Sequence, residues 1–149
     1  MSEELKPGLG TFIEIVAEAP ATEDSAGYTA LTGLAEVGEL TEVPEYGPEH
    51  DTVTHTPLKS GITAKYHGAL NYGSLSLPMG LATNDAGQIA LKTALASKAR
   101  ITMKVTYADG STDFFQGKVM GFKRGASING VVQATVKFEI ETEVIEVAA

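Results

Sequence analysis

Apolar and polar residues alternate most clearly in the last third of the chain, where the pattern predicts β-strands. The alternation runs through ARITMKVTY at residues 99–107, STDFFQGKVMGFKR at residues 111–124 and VVQATVKFEIETEVIEV at residues 131–147. Strong hairpin-turn signals separate these three segments, namely Asp109-Gly110 and Asn129-Gly130. The pattern therefore predicts three consecutive strands joined by hairpins.

Shorter strands are predicted in the first half of the chain. They are TFIEIVAEA at residues 11–19, YTALTGLAEV at residues 28–37 with a continuation through GELTEVPEY at residues 38–46, and the segment around Leu75 and Leu77. Aromatic, Thr and aliphatic residues of the kind found there are enriched in strands. In the C-terminal third, glycines predict bulges or close contacts at Gly117 and Gly121.

One segment predicts a helix. Thr83-Asn84-Asp85 offers side-chain oxygens for an N-cap, and GQIALKTALASK at residues 87–98 consists largely of good helix formers. Leu91 and Leu95 lie four residues apart with Ile89 nearby, which predicts an apolar face that packs on a sheet. The chain of 149 residues is therefore expected to be a single domain that is mainly β: an antiparallel β-sandwich or open barrel with one flanking α-helix.

A long polar stretch interrupts the strand pattern, and we call residues Tyr46–Tyr72 the arm. Pro48 and Pro57 disfavour regular structure within it, although Ile62, Ala64 and Tyr66 alternate with polar residues and could form part of a hairpin. A loop of this length inside a compact domain is usually functional or disordered. We expect an extended arm that needs a partner to order it.

Composition argues against several classes of function. The chain has 19 acidic and 11 basic residues, a formal net charge of −8, which disfavours DNA binding. It has no Cys and no Trp, no apolar run that could span a bilayer and no signal peptide, so folding in the cytoplasm is expected. No cofactor site or catalytic motif is recognisable, and the spacing of His50, Asp51 and His55 matches no common metal site. We therefore predict no metal, no cofactor and no enzymatic activity.

Glutamates recur at two places in the predicted β-region, and their spacing has two interpretations. They are Glu36, Glu39 and Glu42 in the first half and Glu139, Glu141 and Glu143 in the last strand. A period of two places the second group on one face of a strand. That face is either the solvent side of a half-buried sheet or, if sheets of several copies close together, an acidic lumen.

The order of these segments resembles the major tail tube protein of long-tailed bacteriophages with non-contractile tails. The resemblance covers residues 27–147 and rests on LTGLAEVGEL, on THT followed by KYHG in the arm, on DAGQIAL in the helix, and on the two hairpin turns. It implies a structural virion protein, made in the host cytoplasm, whose hexameric rings stack into a tube. Genome DNA would pass through the acidic lumen of that tube without specific binding.

The resemblance also assigns roles to residues. The six glutamates become candidates for lining the lumen, and the arm becomes a contact between subunits, with His55, Lys59, Lys65 and Tyr66 as contact candidates. The N-terminal residues 1–10 form a second, flexible arm that orders on assembly. The implied partners are further copies of the chain and the tail tip, tape measure and terminator proteins, and no membrane is involved.

Two other classes of function stay open at this point. A tail terminator or head–tail connector is also a small β-rich ring, and only the segment order favours the tube. A carbohydrate-binding or adhesin β-sandwich would need an aromatic surface, whereas aromatic residues make up 7% of this chain. Concentration-dependent polymerisation distinguishes the ring-forming group from the binding module.

Overall fold

The computed structural model describes residue 5 and residues 7–148 and is mainly β, as predicted, with 43% strand and 12% helix. Its elements follow one another in the order β1 (Phe12–Val16), α1 (Ser25–Thr29), β2 (Ala35–Glu36), β3 (Glu49–His55), β4 (Ala64–Asn71), β5 (Ser74–Gly80), α2 (Ala86–Ser97), β6 (Ile101–Thr106), β7 (Thr112–Gly125), β8 (Gln133–Ile140) and β9 (Ile145–Val147).

Seven strands form one antiparallel sheet. Its order is β2-β1-β6-β7-β8-β5. The long strand β7 pairs with β9 at its first residues and with β8 over its later residues, and both partners lie on the side of β7 opposite to β6. The register of β7 against β8 shifts between Val119 and Gly121, which confirms the bulge expected there. Gly117 is a close contact, because a Cβ atom at this residue would lie 2.1 Å from the carbonyl oxygen of Glu139.

The sheet folds around one hydrophobic core. Side chains of β1 and β6, such as Ile13 and Met103, belong to the same buried cluster as Leu77 of β5 and Phe138 of β8. Residues 35–41 run between the two ends of the strand order, since β2 pairs with β1 and Leu40 forms a bridge with Met79 of β5. This arrangement agrees with the predicted β-sandwich or open barrel.

Helix α2 begins where the sequence predicts and covers the core. Asp85 is the N-cap, and its side chain accepts a hydrogen bond from the backbone N–H of Gln88 at 3.0 Å. Leu91 is fully buried and Leu95 packs on the core at its margin, but Ile89 is 46% exposed and is not part of the apolar face. The packing of the helix on the sheet is confirmed, and the assignment of Ile89 to that face was wrong.

Of the pair of strands predicted over residues 28–46, only the short strand β2 (Ala35–Glu36) forms. The side chain of Asp24 caps the short helix α1 by accepting from the N–H of Gly27 at 2.8 Å, and Tyr28 then stacks on Phe114 with ring centroids 5.2 Å apart. Tyr28 therefore lies in a short helix, and its side chain is buried because it packs against the sheet. Beyond β2 the backbone of Glu39 adopts a left-handed conformation with φ of 59°, which a regular strand does not accommodate.

The last predicted strand is divided in two. Its inward residues are buried as expected up to Ile140, where β8 ends. The backbone N–H of Gln116 in β7 then donates to the hydroxyl of Thr142 at 2.9 Å, so a side chain takes the place of a strand partner before β9 begins. Glu141 and Glu143 lie beyond the end of β8, although buried and outward residues still alternate from Phe138 to Glu143. That Glu139, Glu141 and Glu143 form one acidic face stays a prediction.

Candidate assembly surface

The arm is ordered in the structure as a β-hairpin. Strands β3 and β4 form a separate two-stranded antiparallel sheet with a register shift between His50 and Thr52. The hydroxyls of Thr56 and Thr63 are 2.9 Å apart where the turn begins. The expectation of a long segment without its own secondary structure was wrong. Pro48 and Pro57 lie outside β3 and β4, so the two strands form backbone hydrogen bonds with each other.

The hairpin is exposed along its length and carries apolar side chains on its surface. Every residue of β3 is exposed, and β4 has only Ala64 and Gly68 partly covered. The exposed apolar residues are Val53, Leu58, Ile62, Tyr66 and Leu70, with Leu58 and Ile62 at the tip 102% and 72% exposed. An isolated two-stranded hairpin is marginally stable in water, and exposed apolar patches commonly mark interaction surfaces. The hairpin is therefore the best candidate for an assembly surface.

The four contact candidates all lie on the exposed surface of this hairpin. Tyr66 is opposite Val53 and His55 is opposite Ala64, so these pairs share one face of the hairpin. Lys65 is opposite Thr54 on the other face, and Lys59 lies in the turn. Their role in contacts between subunits stays a prediction, but their positions leave them accessible to a partner.

The base of the arm is fixed to the sheet by a half-buried cluster of three polar side chains that the sequence did not indicate. The hydroxyls of Tyr46 and Tyr107 contact each other, and both donate to the carboxylate of Asp113, from Tyr107 at 2.9 Å. The ring of Tyr46 packs on Phe115 with centroids 5.3 Å apart. Burial raises the pKa of Tyr46 well above its ordinary value, and the hydrogen bond to Asp113 raises it further.

The other end of the arm is held by close approach of two backbone segments. A Cβ atom on Gly73 would lie 2.8 Å from the carbonyl oxygen of Gly47, and the φ of Gly73 is +90°, so glycine is required there. The carbonyl of Gly73 accepts from the N–H of Ile140 at 3.0 Å. Both ends of the arm are thus bonded to the main sheet while its length projects.

A second exposed apolar surface lies in the loop between β7 and β8, and sequence analysis did not single it out. Ile128 and Val131 are 99% and 69% exposed, and Val132 is partly so. The loop is attached through the N–H of Leu81, which donates to the carbonyl of Val132 at 2.9 Å. The alternation at Val131 and Val132 had suggested a strand, but β8 begins at Gln133.

The six lumen candidates are spread over the molecule. Glu36 lies on β2 opposite Glu14, and Glu39 and Glu42 are exposed in the following coil. Glu42 and Glu143 line an open cleft of about 1030 Å³ at the base of the arm. The structure brings these two together around one cleft, and the lumen-lining role of all six stays a prediction.

The solvent side of β8 carries charges of both signs. Lys137 lies 3.7 Å from Glu139, and Lys118 of β7 is the register partner of Glu139. Glu141 is contacted by Arg100 at 3.3 Å and by Lys118 at 3.9 Å. The negative charge of Glu139 and Glu141 is therefore locally offset by lysine and arginine side chains.

Other classes of site find limited support. Among the residues that the structure describes, no three His, Cys, Asp or Glu side chains are grouped so as to hold a metal ion. No helix in the described part of the chain has the length and apolar character needed to cross a membrane. The predicted N-terminal arm at residues 1–10 lies partly outside the described residues, and within it Leu9 is exposed.

No protein-family model matches the sequence, and no curated protein does. Solved structures do match, and the class of fold they define is that of tail tubes. A chain from the tail of an empty gene transfer agent particle is 13% identical with a TM-score of 0.69, covering 97% of this chain and 100% of that chain. The SPP1 tail tube protein is 10% identical with a TM-score of 0.66, covering 96% of this chain and 80% of that chain.

A chain from the sheath/tube terminator of the PVC extracellular contractile injection system also matches. It is 12% identical with a TM-score of 0.61, and the match covers 95% of this chain and 96% of that chain. At such low identities the comparisons establish the fold alone. This chain has the fold of phage tail tube proteins, as the sequence resemblance implied.

Proposed function

We propose that this chain is a structural tail tube protein, without catalytic activity, that polymerises as stacked hexameric rings in a virion tail. The observation that carries the proposal is an exposed, apolar β-hairpin projecting from a β-sandwich with the tail tube fold. The sandwich buries its own core, so the ring would be built by joining sheets of neighbouring copies, and the hairpin would bind a neighbour. As one tail-tube-like domain, the chain would be made in the host cytoplasm and act in the virion.

Assembly would bury the apolar side chains that the single chain exposes. Val53 and Tyr66 share one face of the hairpin, and Leu58 and Ile62 lie at its tip. Burying such side chains is worth about 1.5–3 kcal/mol each when complete. The gain is repeated at every contact between copies, which favours assembly over separate chains. His55, Lys59 and Lys65 would supply polar contacts at the rim of the same interface.

The acidic balance of the chain supports a tube through which DNA moves. A formal net charge of −8 per copy would be repeated six-fold in every ring and would repel DNA phosphates. Glu36, Glu39, Glu42 and Glu143 are the lumen candidates for which no ion pair is found in the described structure, whereas Glu139 and Glu141 lie beside basic residues. Tail tip, tape measure and terminator proteins are the further partners that this role requires.

The test is negative-stain electron microscopy of the purified protein at increasing concentration, with and without tail tips. Hollow tubes or six-fold rings are the expected result, and their reconstruction would locate the acidic side chains relative to the lumen. Monomers under both conditions would contradict the proposal.

A hairpin variant sharpens this test. Replacing Val53 and Tyr66 with Ser should leave the sandwich folded, because neither side chain belongs to the core, and should abolish tubes. The matched control is Ile89→Ser, which removes an apolar side chain of similar exposure from α2. Normal tubes from the hairpin variant would exclude the hairpin as a connector, whereas loss of tubes in the control as well would mean that assembly depends on general surface hydrophobicity.

A tail terminator is the second candidate. It is favoured by the match to the terminator of a contractile injection system, although at a lower TM-score than the gene transfer agent tail. A terminator forms a single ring and caps a tube made by another protein. Isolated rings that do not lengthen at any concentration would support the terminator over the tube.

A further inference from the structure

All three histidines of the chain lie in the arm, and the hairpin brings two of them together. The rings of His50 and His67 have centroids 5.0 Å apart and meet edge to face, with an interplanar angle of 74°. His55 is placed elsewhere on the hairpin, opposite Ala64. Two of the three imidazoles in the protein are therefore neighbours on an exposed surface.

The register of the hairpin produces this pair. His67 is the partner of Thr52, and His50 lies two residues before Thr52, so the alternation of side chains along β3 places His50 on the same face of the hairpin as His67. The two histidines are 17 positions apart in sequence, and spacing along the chain instead suggested His50 with His55. The pairing depends on which residues of β3 and β4 lie opposite each other, and spacing along the chain does not reveal this register.

The hydrogen bonding of His50 leaves one ring nitrogen ready to bind a cation. Its Nδ1 lies 3.3 Å from the carbonyl oxygen of Gly68. A carbonyl oxygen can only accept, so Nδ1 carries the hydrogen and the lone pair of the neutral ring is on Nε2. Histidines that bind metals commonly donate their second ring N–H to a backbone carbonyl in this way.

The distance between the rings suits a shared metal ion. Two imidazoles on one tetrahedral zinc, with Zn–N bonds of about 2.0–2.1 Å, have ring centroids about 5 Å apart. Imidazole nitrogen is a preferred ligand of zinc, copper and nickel and a poor one for magnesium and calcium. Both rings are exposed, so a cation reaches them without opening the fold.

We propose that His50 and His67 form a two-histidine site for a divalent transition-metal cation of the zinc class. Water completes the coordination, since no group of three or more potential ligands occurs among the described residues. The cation links β3 to β4 beside the bulge, where the pairing of the hairpin is irregular. Binding to the folded hairpin alone stabilises it by linkage. The inference does not depend on tube assembly and is tested on the single chain.

The experiment is calorimetric titration of Zn²⁺ into the full-length protein after treatment with a chelator, near neutral pH. One ion per chain is expected. His50→Gln and His67→Gln should each weaken binding about tenfold or more, because a single imidazole replaces a chelating pair. His55→Gln is the matched control on the same hairpin and should bind as the wild type does. Far-UV circular dichroism checks that each variant is folded.

Two further measurements identify the ligands. Zn²⁺ should shift the ring signals of His50 and His67 in nuclear magnetic resonance spectra and leave those of His55 in place. Excess Mg²⁺ should not compete, and acidification should weaken binding because protons compete for the imidazole nitrogens. The proposal is overturned if the double variant His50→Gln/His67→Gln binds as tightly as the wild type, or if His55→Gln loses as much affinity as the other two.

Discussion

Gln88 is a fully buried polar side chain whose removal gives the sharpest test of how the core is held together. Its amide nitrogen donates to the carbonyls of Gly80 at 2.8 Å and Gly38 at 3.0 Å, and its amide oxygen accepts from the N–H of Ala82 at 2.9 Å. One side chain on α2 therefore bonds the segment between β2 and the arm, the end of β5, and the loop that leads into α2.

We expect Gln88→Leu to destabilise the protein by about 3 kcal/mol. Each of the three hydrogen bonds contributes about 1 kcal/mol, and partners left unpaired in a buried site cost about 1–3 kcal/mol each. Leu has a similar size and is more apolar, which returns part of that cost, and the partly exposed partner groups can recover some bonding to water. For a domain of this size the loss corresponds to roughly 6–12 °C in Tm.

The assay is urea unfolding followed by circular dichroism, with calorimetry for the Tm. The matched control is Gln133→Leu, the same substitution at an exposed position of β8, which should change stability by no more than about 0.5 kcal/mol. If Gln88→Leu unfolds within that same margin of the wild type, the three hydrogen bonds do not hold these segments together and the reasoning fails.

Two further predictions concern the sheet and the base of the arm. Gly117→Ala should cost about 3 kcal/mol, because the new Cβ would meet a backbone oxygen of the neighbouring strand, whereas Gly125→Ala on the same strand meets nothing within 4 Å and should be near neutral in urea unfolding. Tyr46 has a pKa raised above the ordinary 10.0, so the folded state keeps its proton more tightly than the unfolded state does. The contribution of Tyr46 to the free energy of unfolding is therefore fully present below about pH 10 and decreases as the pH rises above that value. Tyr46→Phe should lose about 1–2 kcal/mol at neutral pH and show a shallower alkaline decline, and an unchanged decline would contradict the assigned pKa.

The local sequence pattern predicted those strands and helices that are determined by residues close together in the sequence. The alternation from Ile101 to Ile140 identified β6, β7 and β8 because one face of each lies in the core, and Asp85 marked the start of α2 through its capping oxygen. These features depend on neighbours within a few positions. Periodicity and capping therefore specified most of the main sheet and its helix.

Features that depend on tertiary contacts were not predictable in this way. The local pattern predicted a strand at Tyr28, whereas the residue lies in α1. Its position is fixed by stacking on Phe114, a residue far away in the sequence, and no local pattern indicates that contact. Tyr46 meets Tyr107 and Asp113 across 61 and 67 positions, and no local motif marks that meeting. The pairing of His50 with His67 depends on the register between β3 and β4, which the alternation did not reveal. The contact candidates on the arm could be named from sequence, but not the face on which each lies.

The way the arm is attached has a mechanical consequence. One end is bonded through Tyr46 to the residue after β6 and to Asp113 of β7, and the other end is bonded through Gly73 to the last residue of β8. A pull on the hairpin is thus transmitted to central strands of the main sheet, where the load is shared by many backbone hydrogen bonds. In a tube of the proposed kind, tension and bending between neighbouring copies would be carried by the stiffest part of each subunit.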